Sequence, residues 1–168
     1  MKRIAGLILS VVLVFSMVLP VTAQGNNTYL SEEIQQYCIE IGEEYGVCPE
    51  LLMAMIETES SGNINAISKD GGCHGLMQIN IQYHWDRLRK VVGYDDVTIA
   101  TFYSPRTNIE VAADYLVELA EEYGDISYVL DVYNGNSKAE YNYENGILSS
   151  YAKKILERSE ELERLHGK

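Results

Sequence analysis

One acid in this chain stands where acid–base chemistry needs one. Leu52, Met55, Ile56 and Glu59 are spaced i, i+3, i+4 and i+7, so Glu59 shares the apolar face of a helix that begins at Pro49. A carboxyl drawn into an apolar face loses the hydration of its charged form, and its pKa rises. A general acid working near neutral pH requires that shift. Glu57 falls on the opposite side with Glu50, and both are expected to be solvated. A lone glutamate at a helix end is more often a solvated terminus, so the other candidates decide the matter. Ser60 follows the acid directly. The segment Gly75-Leu76-Met77-Gln78-Ile79 joins a glycine suited to close backbone approach with an amide that both donates and accepts. Tyr133-Asn134 and Tyr151 add hydroxyl and amide groups further on. Each has a plainer reading: Leu76 and Met77 as core, Gln78 satisfying backbone groups, Tyr133-Asn134 as a helix C-cap, Tyr151 as a packed tyrosine.

The elements that must position these residues are mostly helical. Ser31 N-caps a first helix whose inner face carries Ile34, Tyr37, Cys38, Ile41 and Tyr45, and Gly46 stops it. Pro49 opens the helix that ends at Glu59. Residues 60–72 are rich in Ser, Gly and Asn and read as turns or short irregular strands. A short helix over 81–92, a loop over 94–106 and a long helix capped at Thr107 or Asn108 and closed by Gly124 follow. Asp125 begins a shorter helix to Tyr133, a polar turn leads through Tyr141, Asn142 and Tyr143, and the last helix covers about 147–165.

Composition narrows the function classes. Lys2 and Arg3, the apolar run 4–19 and Val21-Thr22-Ala23 form the pattern of a secretory leader, so residues 1–23 are expected to be a signal peptide cut after Ala23, with an uncleaved membrane anchor as the alternative. Residues 24–30 read as a linker and 31–168 as one domain. The net charge of −12 becomes −14 without Lys2 and Arg3, a surface that repels nucleic acid and anionic lipid but not an uncharged glycan. Cys73, His74 and His84 lack paired-ligand spacing, so no metal and no cofactor is expected.

The ordered set Glu59-Ser60, Asn63, Gly75-Leu76-Met77-Gln78-Ile79, Asn108, Tyr115-Leu116, Tyr133-Asn134-Gly135 and Tyr151 resembles the lytic transglycosylase (SLT) domain, a family similar in fold to goose-type lysozyme. The resemblance spans roughly 34–156 and departs in two loops, with Ile64 where the family often has Pro and Gly135-Asn136 where it often has Ala-Gly. It implies a mainly α, lysozyme-like single domain with a small irregular or β segment after the catalytic helix. It also implies that Glu59 is the catalytic acid/base, that Ser60 positions the substrate's N-acetyl group or the glutamate, that Met77, Gln78, Tyr133 and Asn134 line the sugar subsites, and that the Tyr151 hydroxyl lies near the acid. The implied substrate is peptidoglycan, cut at the β-1,4 bond between N-acetylmuramic acid and N-acetylglucosamine.

Most glycosidases use two carboxyl groups. Near Glu59 no clear second one is expected, because Glu57 faces away and Asp70 lies in a loop. In the family's chemistry the substrate itself supplies the attacking group, giving a 1,6-anhydro product; attack by water would make the protein a muramidase, and loss of chemistry a glycan-binding domain. The expected setting is extracellular and wall-associated, as a monomer, with cell-wall, secretion or conjugation machinery as partners. In an exported chain, Cys38, Cys48 and Cys73 imply one disulfide and one free thiol. Cys38 lies about seven residues, roughly 10 Å along the axis, before the first helix ends, and Cys48 sits at the start of the next helix beyond that end, whereas antiparallel packing brings Cys38 level with the Glu59 end and with Cys73. The expected pair is therefore Cys38–Cys73.

Overall fold

A helix that is buried on every side forms the centre of this protein. In the computed structural model, which describes residues 28–168, helix α2 (Pro49–Glu59) follows α1 (Glu32–Tyr45) after a three-residue turn. Glu50 through Ile56 are all buried, so α2 has no solvated face over that stretch. Burying Leu51, Leu52, Met53, Met55 and Ile56 contributes roughly 1.5–3 kcal/mol per side chain.

Burial all round corrects the expectation that Glu50 and Glu57 are solvated. The Glu50 side chain is 2% exposed and is held by Lys168 Nζ at 2.8 Å and His166 Nδ1 at 2.9 Å. Burial pushes its carboxyl up, but hydrogen bonds from Lys168, His166 and Cys48 outweigh this and hold it down at about 2. Glu57 is 8% exposed and paired with Arg158. A period-3.6 pattern assigns one inward face; a helix packed on several sides by other helices has no outward one.

Those helices are α1, which packs on α2 and α4 (Pro105–Tyr123), and α7 (Ser150–Leu165), which packs on α2 and α5 (Ile126–Tyr133). Helices α2 and α7 run antiparallel: Glu163 meets Cys48 at the start of α2, and Tyr151 meets Glu59 at its end. Short strands β1 (Cys73–His74) and β2 (Ile79–Asn80) pair antiparallel, Cys73 with Asn80 and His74 with Ile79. Helix α3 (Ile81–Val92) packs on α4, and a 3-10 turn (Ile99–Tyr103) and α6 (Ala139–Glu144) complete the described chain. The described residues are thus mainly helical with one small sheet after α2, as the sequence predicts.

Ends differ in instructive ways. Helix α4 starts at Pro105 with Ser104 at its N-cap, so neither Thr107 nor Asn108 caps it. Helix α7 starts at Ser150, its cap Ser149 accepting from Ala152 N at 3.0 Å. The expected leader and most of the expected linker lie outside the described residues. Within 28–30, Thr28 and Leu30 are buried against the domain. The expected Cys38–Cys73 bridge is absent, and all three cysteines are free thiols. Cys38 points into the interior that α1 shares with α2 and α4, whereas Cys73 sits on β1.

Candidate active site

Glu59 is the last residue of α2 and Ser60 its C-cap. Helix α2 delivers the carboxyl from an apolar interior to a half-buried edge. Burial raises its pKa; a hydrogen bond from Tyr151 and the charge of Lys154 lower it, and the net shift is upward. The Tyr151 hydroxyl donates to Glu59 Oε1. Burial, the Glu59 charge and this hydrogen bond all push the tyrosine's own pKa far up, so Tyr151 stays a neutral donor.

Tyr151 is placed by the first turn of α7. Ser149 caps that helix, and its hydroxyl donates to Asp131, a carboxylate in α5 that is 2% exposed and also accepts from Asn142 Nδ2 at 2.9 Å. Asp131 therefore ties α5, the α6 segment and the start of α7 together. The sequence reading missed it, although an aspartate inside the apolar run Ile126–Tyr133 is the signal that finds it.

The Gly75–Gln78 turn is held by one amide. Asn108, 1% exposed in the first turn of α4, accepts from Met77 N at 2.8 Å and donates to His74 O at 3.0 Å and Phe102 O at 2.8 Å. Gly75 has φ +78, and a Cβ there would meet Asn108 Nδ2 at 2.5 Å, so only glycine allows the approach. Met77 is core by its side chain, which is fully buried; its contribution to the site is its carbonyl, which accepts from the Tyr133 hydroxyl at 2.8 Å. Gln78, at φ +46, folds its amide onto Gly75 O at 3.0 Å.

Tyr133 lies close enough to Glu59 for the acid's charge to act on it, secondary to the burial that pushes its pKa well up. A row of rings leads away from it: Tyr133 to Tyr115 with centroids 5.7 Å apart, then Tyr115 to His84 at 4.6 Å, with the Arg87 guanidinium 5.0 Å over Tyr115. Burial, with Arg87 adding to it, lowers the His84 pKa and favours a neutral ring. Asn134 is exposed and C-caps α5 through its backbone N–H. Ser60 directs its hydroxyl back to Ile56 O at 3.2 Å. Glu59, Tyr133 and Tyr151 thus form one group, with the Gln78 turn attached through Met77; Ser60 and Asn134 stand on its margins.

Cys73, expected as a disulfide partner and not as a group at the acid, is reached by the Glu59 charge. Its thiol is raised chiefly by burial and less by Asp70 and Glu59. Asp70 itself is engaged by Ser68 and by Gly72 N. Cys48, Glu50 and Glu163 bring a thiol and two carboxylates within 4.8 Å of one another. That group sits at the start of α2, the end opposite Glu59, and Lys168 already pairs with Glu50 there.

Residues 36–155 match a family model described as the transglycosylase SLT domain. The chain is 30% identical over 128 residues to an endo-type membrane-bound lytic murein transglycosylase A of Citrobacter koseri, across 72% of this chain and 62% of that protein. It is 31% identical over 129 residues to the protein of the same name from Salmonella paratyphi B, across 73% and 62%. The chain therefore spans about three fifths of the length of these curated relatives. Among solved structures, an inactive mutant of lytic transglycosylase Slt from Pseudomonas aeruginosa aligns with a TM-score of 0.62 at 17% identity, over 74% of this chain and 23% of that one, a likeness of fold.

Proposed function

The chain belongs to the transglycosylase SLT domain family, and from that premise we propose that it is a peptidoglycan lytic transglycosylase. The observation that carries the reading is Glu59 itself, a half-buried carboxyl with a raised pKa whose hydrogen-bond partner is the neutral hydroxyl of Tyr151. Such a group is protonated where an ordinary glutamate is ionised, and can give its proton to a glycosidic oxygen.

Glu57 pairs with Arg158 and Asp70 holds its own turn, so neither flanking carboxylate is free to act as the second group. The substrate's 2-acetamido carbonyl then attacks C1 of N-acetylmuramic acid as Glu59 protonates the leaving oxygen. Glu59, now a carboxylate, takes the proton of the C6 hydroxyl, whose oxygen displaces the acetamido oxygen at C1 and closes the 1,6-anhydro ring. The acid ends protonated and no water is consumed. Tyr151 orients Glu59 through both steps. Tyr133, Gln78, Asn134 and Ser60 form the surface that meets the sugar, and Met77, fully buried, supports it from beneath through the carbonyl that holds Tyr133. Residence at the cell wall, export on the leader read at 1–23, contact with wall, secretion or conjugation machinery and a monomeric state belong to the same proposal. The membrane-bound relatives support the wall setting. Among the described residues no helix is long and apolar enough to cross a membrane.

Mass spectrometry of digested peptidoglycan tests this. We expect anhydro-muramoyl ends; reducing muramoyl ends would mean that water attacks C1, and no cleavage would leave only a binding domain. Glu59→Gln is expected to lower turnover about 100- to 10,000-fold. It should stay folded: the raised pKa means that ionising Glu59 costs stability as pH rises through that value, and Gln never ionises. Near-wild-type cleavage by Glu59→Gln sinks the assignment.

A further inference from the structure

Resting on the reading of Glu59 as the acid, we propose that Glu57, gripped by Arg158 and by the N-terminal strap of residues 28–30, is a positioning residue that fixes where the Glu59 carboxyl stands. Arg158 meets Glu57 as a fork, Nε to Oε2 at 2.7 Å and Nη2 to Oε1 at 3.1 Å. The strap adds two contacts: Thr28 Oγ1 donates to Glu57 Oε1 at 2.6 Å, and the Tyr29 hydroxyl donates to the Glu57 carbonyl at 3.0 Å. Thr28 also accepts from Leu30 N at 3.2 Å, which closes the strap on itself.

The strap touches the chain on both sides of the acid. Before Glu59 it holds Glu57; after it, Leu30 Cδ2 lies 3.1 Å from where a Cβ on Gly62 would stand, in the turn that follows α2. Thr28 and Leu30 are 6% and 4% exposed, so the strap is part of the packed domain.

Helix α7 carries both partners of this arrangement. Tyr151 and Arg158 are seven residues apart, two turns and roughly 10 Å along the axis. Two separate polar contacts between α2 and α7 fix rotation and sliding together, which apolar packing alone leaves softer. A partly buried ion pair adds little net stability, because desolvation offsets the attraction. What its forked geometry adds is register. Proton transfer is sensitive to that register: a misplacement of about 1 Å costs on the order of 100-fold in rate.

The test uses the full chain. Arg158→Lys keeps the charge and loses the fork; Thr28→Val keeps the shape and loses the hydroxyl; Thr28→Ser restores the hydroxyl. Two readouts are taken, kcat and KM on peptidoglycan, and the titration of the Glu59 carboxyl by 13C NMR, which needs no turnover. We expect Arg158→Lys to lower kcat about 10- to 100-fold with KM within about twofold. Thr28→Val should lower kcat less, and Thr28→Ser should return it to wild type. The Glu59 titration should move to higher pH in the first two, because a loosened Tyr151 contact removes a hydrogen bond to the charged form. Wild-type kcat and an unmoved titration in both Arg158→Lys and Thr28→Val overturn the proposal. Should Arg158→Lys not fold, the Thr28 pair decides alone. Should the wild type not cleave peptidoglycan, the reading of the function fails, and the NMR titration still decides whether the strap positions Glu59.

Discussion

Three carboxyl groups of α2 are withdrawn from water to different degrees, and their partners separate their chemistry. Glu50 is given Lys168 and His166 and is held ionised. Glu57 is given the Arg158 fork. Glu59 makes no ion pair among the described residues and accepts from a neutral hydroxyl, with the Lys154 charge acting more weakly. Burial then wins, and the Glu59 pKa is raised where that of Glu50 is lowered. The sign of the Tyr151 effect is testable. Its hydrogen bond stabilises the ionised acid, so Tyr151→Phe should raise the Glu59 pKa further. Since the acid must be protonated at the start of the cycle, the alkaline limb of the kcat/KM profile should move to higher pH. A limb that moves to lower pH would show that Tyr151 acts on something other than the Glu59 proton.

Among the elements, the Gly75–Gln78 turn owes its shape to α4. Asn108 sits there because α4 begins at Pro105, which puts its side chain in the first turn and aims it at the strand pair instead of at its own helix end. Asn108→Ala leaves Met77 N–H and Phe102 O without a partner, while His74 O keeps its place in the ladder opposite Ile79. Each buried orphan costs about 1–3 kcal/mol, with some relief from entering water. We expect a loss of about 2–4 kcal/mol in urea unfolding, within the range of network-breaking substitutions. Gly75→Ala should do comparable harm from the other side of the same contact, since the added Cβ meets the amide and φ is positive. A loss under about 0.5 kcal/mol for Asn108→Ala, the size of an ordinary surface change, would mean that the turn is held by something else.

At the scale of the whole molecule, the three thiols distinguish this domain from a stapled one. With Cys38, Cys48 and Cys73 free, its stability rests on the core around α2. Alkylation of the unreduced protein in denaturant should add three groups; one group would mean that two cysteines are bridged. In the native state Cys38 should resist, because burial pushes its thiol up to about 12, leaving almost no thiolate at neutral pH. Cys48 and Cys73 are less buried and should react first.

Much of this was legible in the residues alone, where local chemistry governs. Ser31, Pro49, Gly46, Gly124 and Asp125 mark helix ends because caps and breakers act within a turn of themselves, and the structure places them at ends. The register that puts Glu59 on the same face as Leu52 and Ile56 is likewise a property of one helix. The tertiary structure decided what depends on a second element. Glu50 and Glu57 read as solvated from one helix, but α7 and the C-terminal Lys168 come from far along the chain to cover and pair them. Asn108 read as a cap until α4 proved to start at Pro105. The Cys38–Cys73 pairing failed for the same reason: helix levels along an axis do not say which way a side chain faces. Sequence spacing settles rotation about one axis, whereas the partner across an interface is set by how several axes pack, and no single period encodes that.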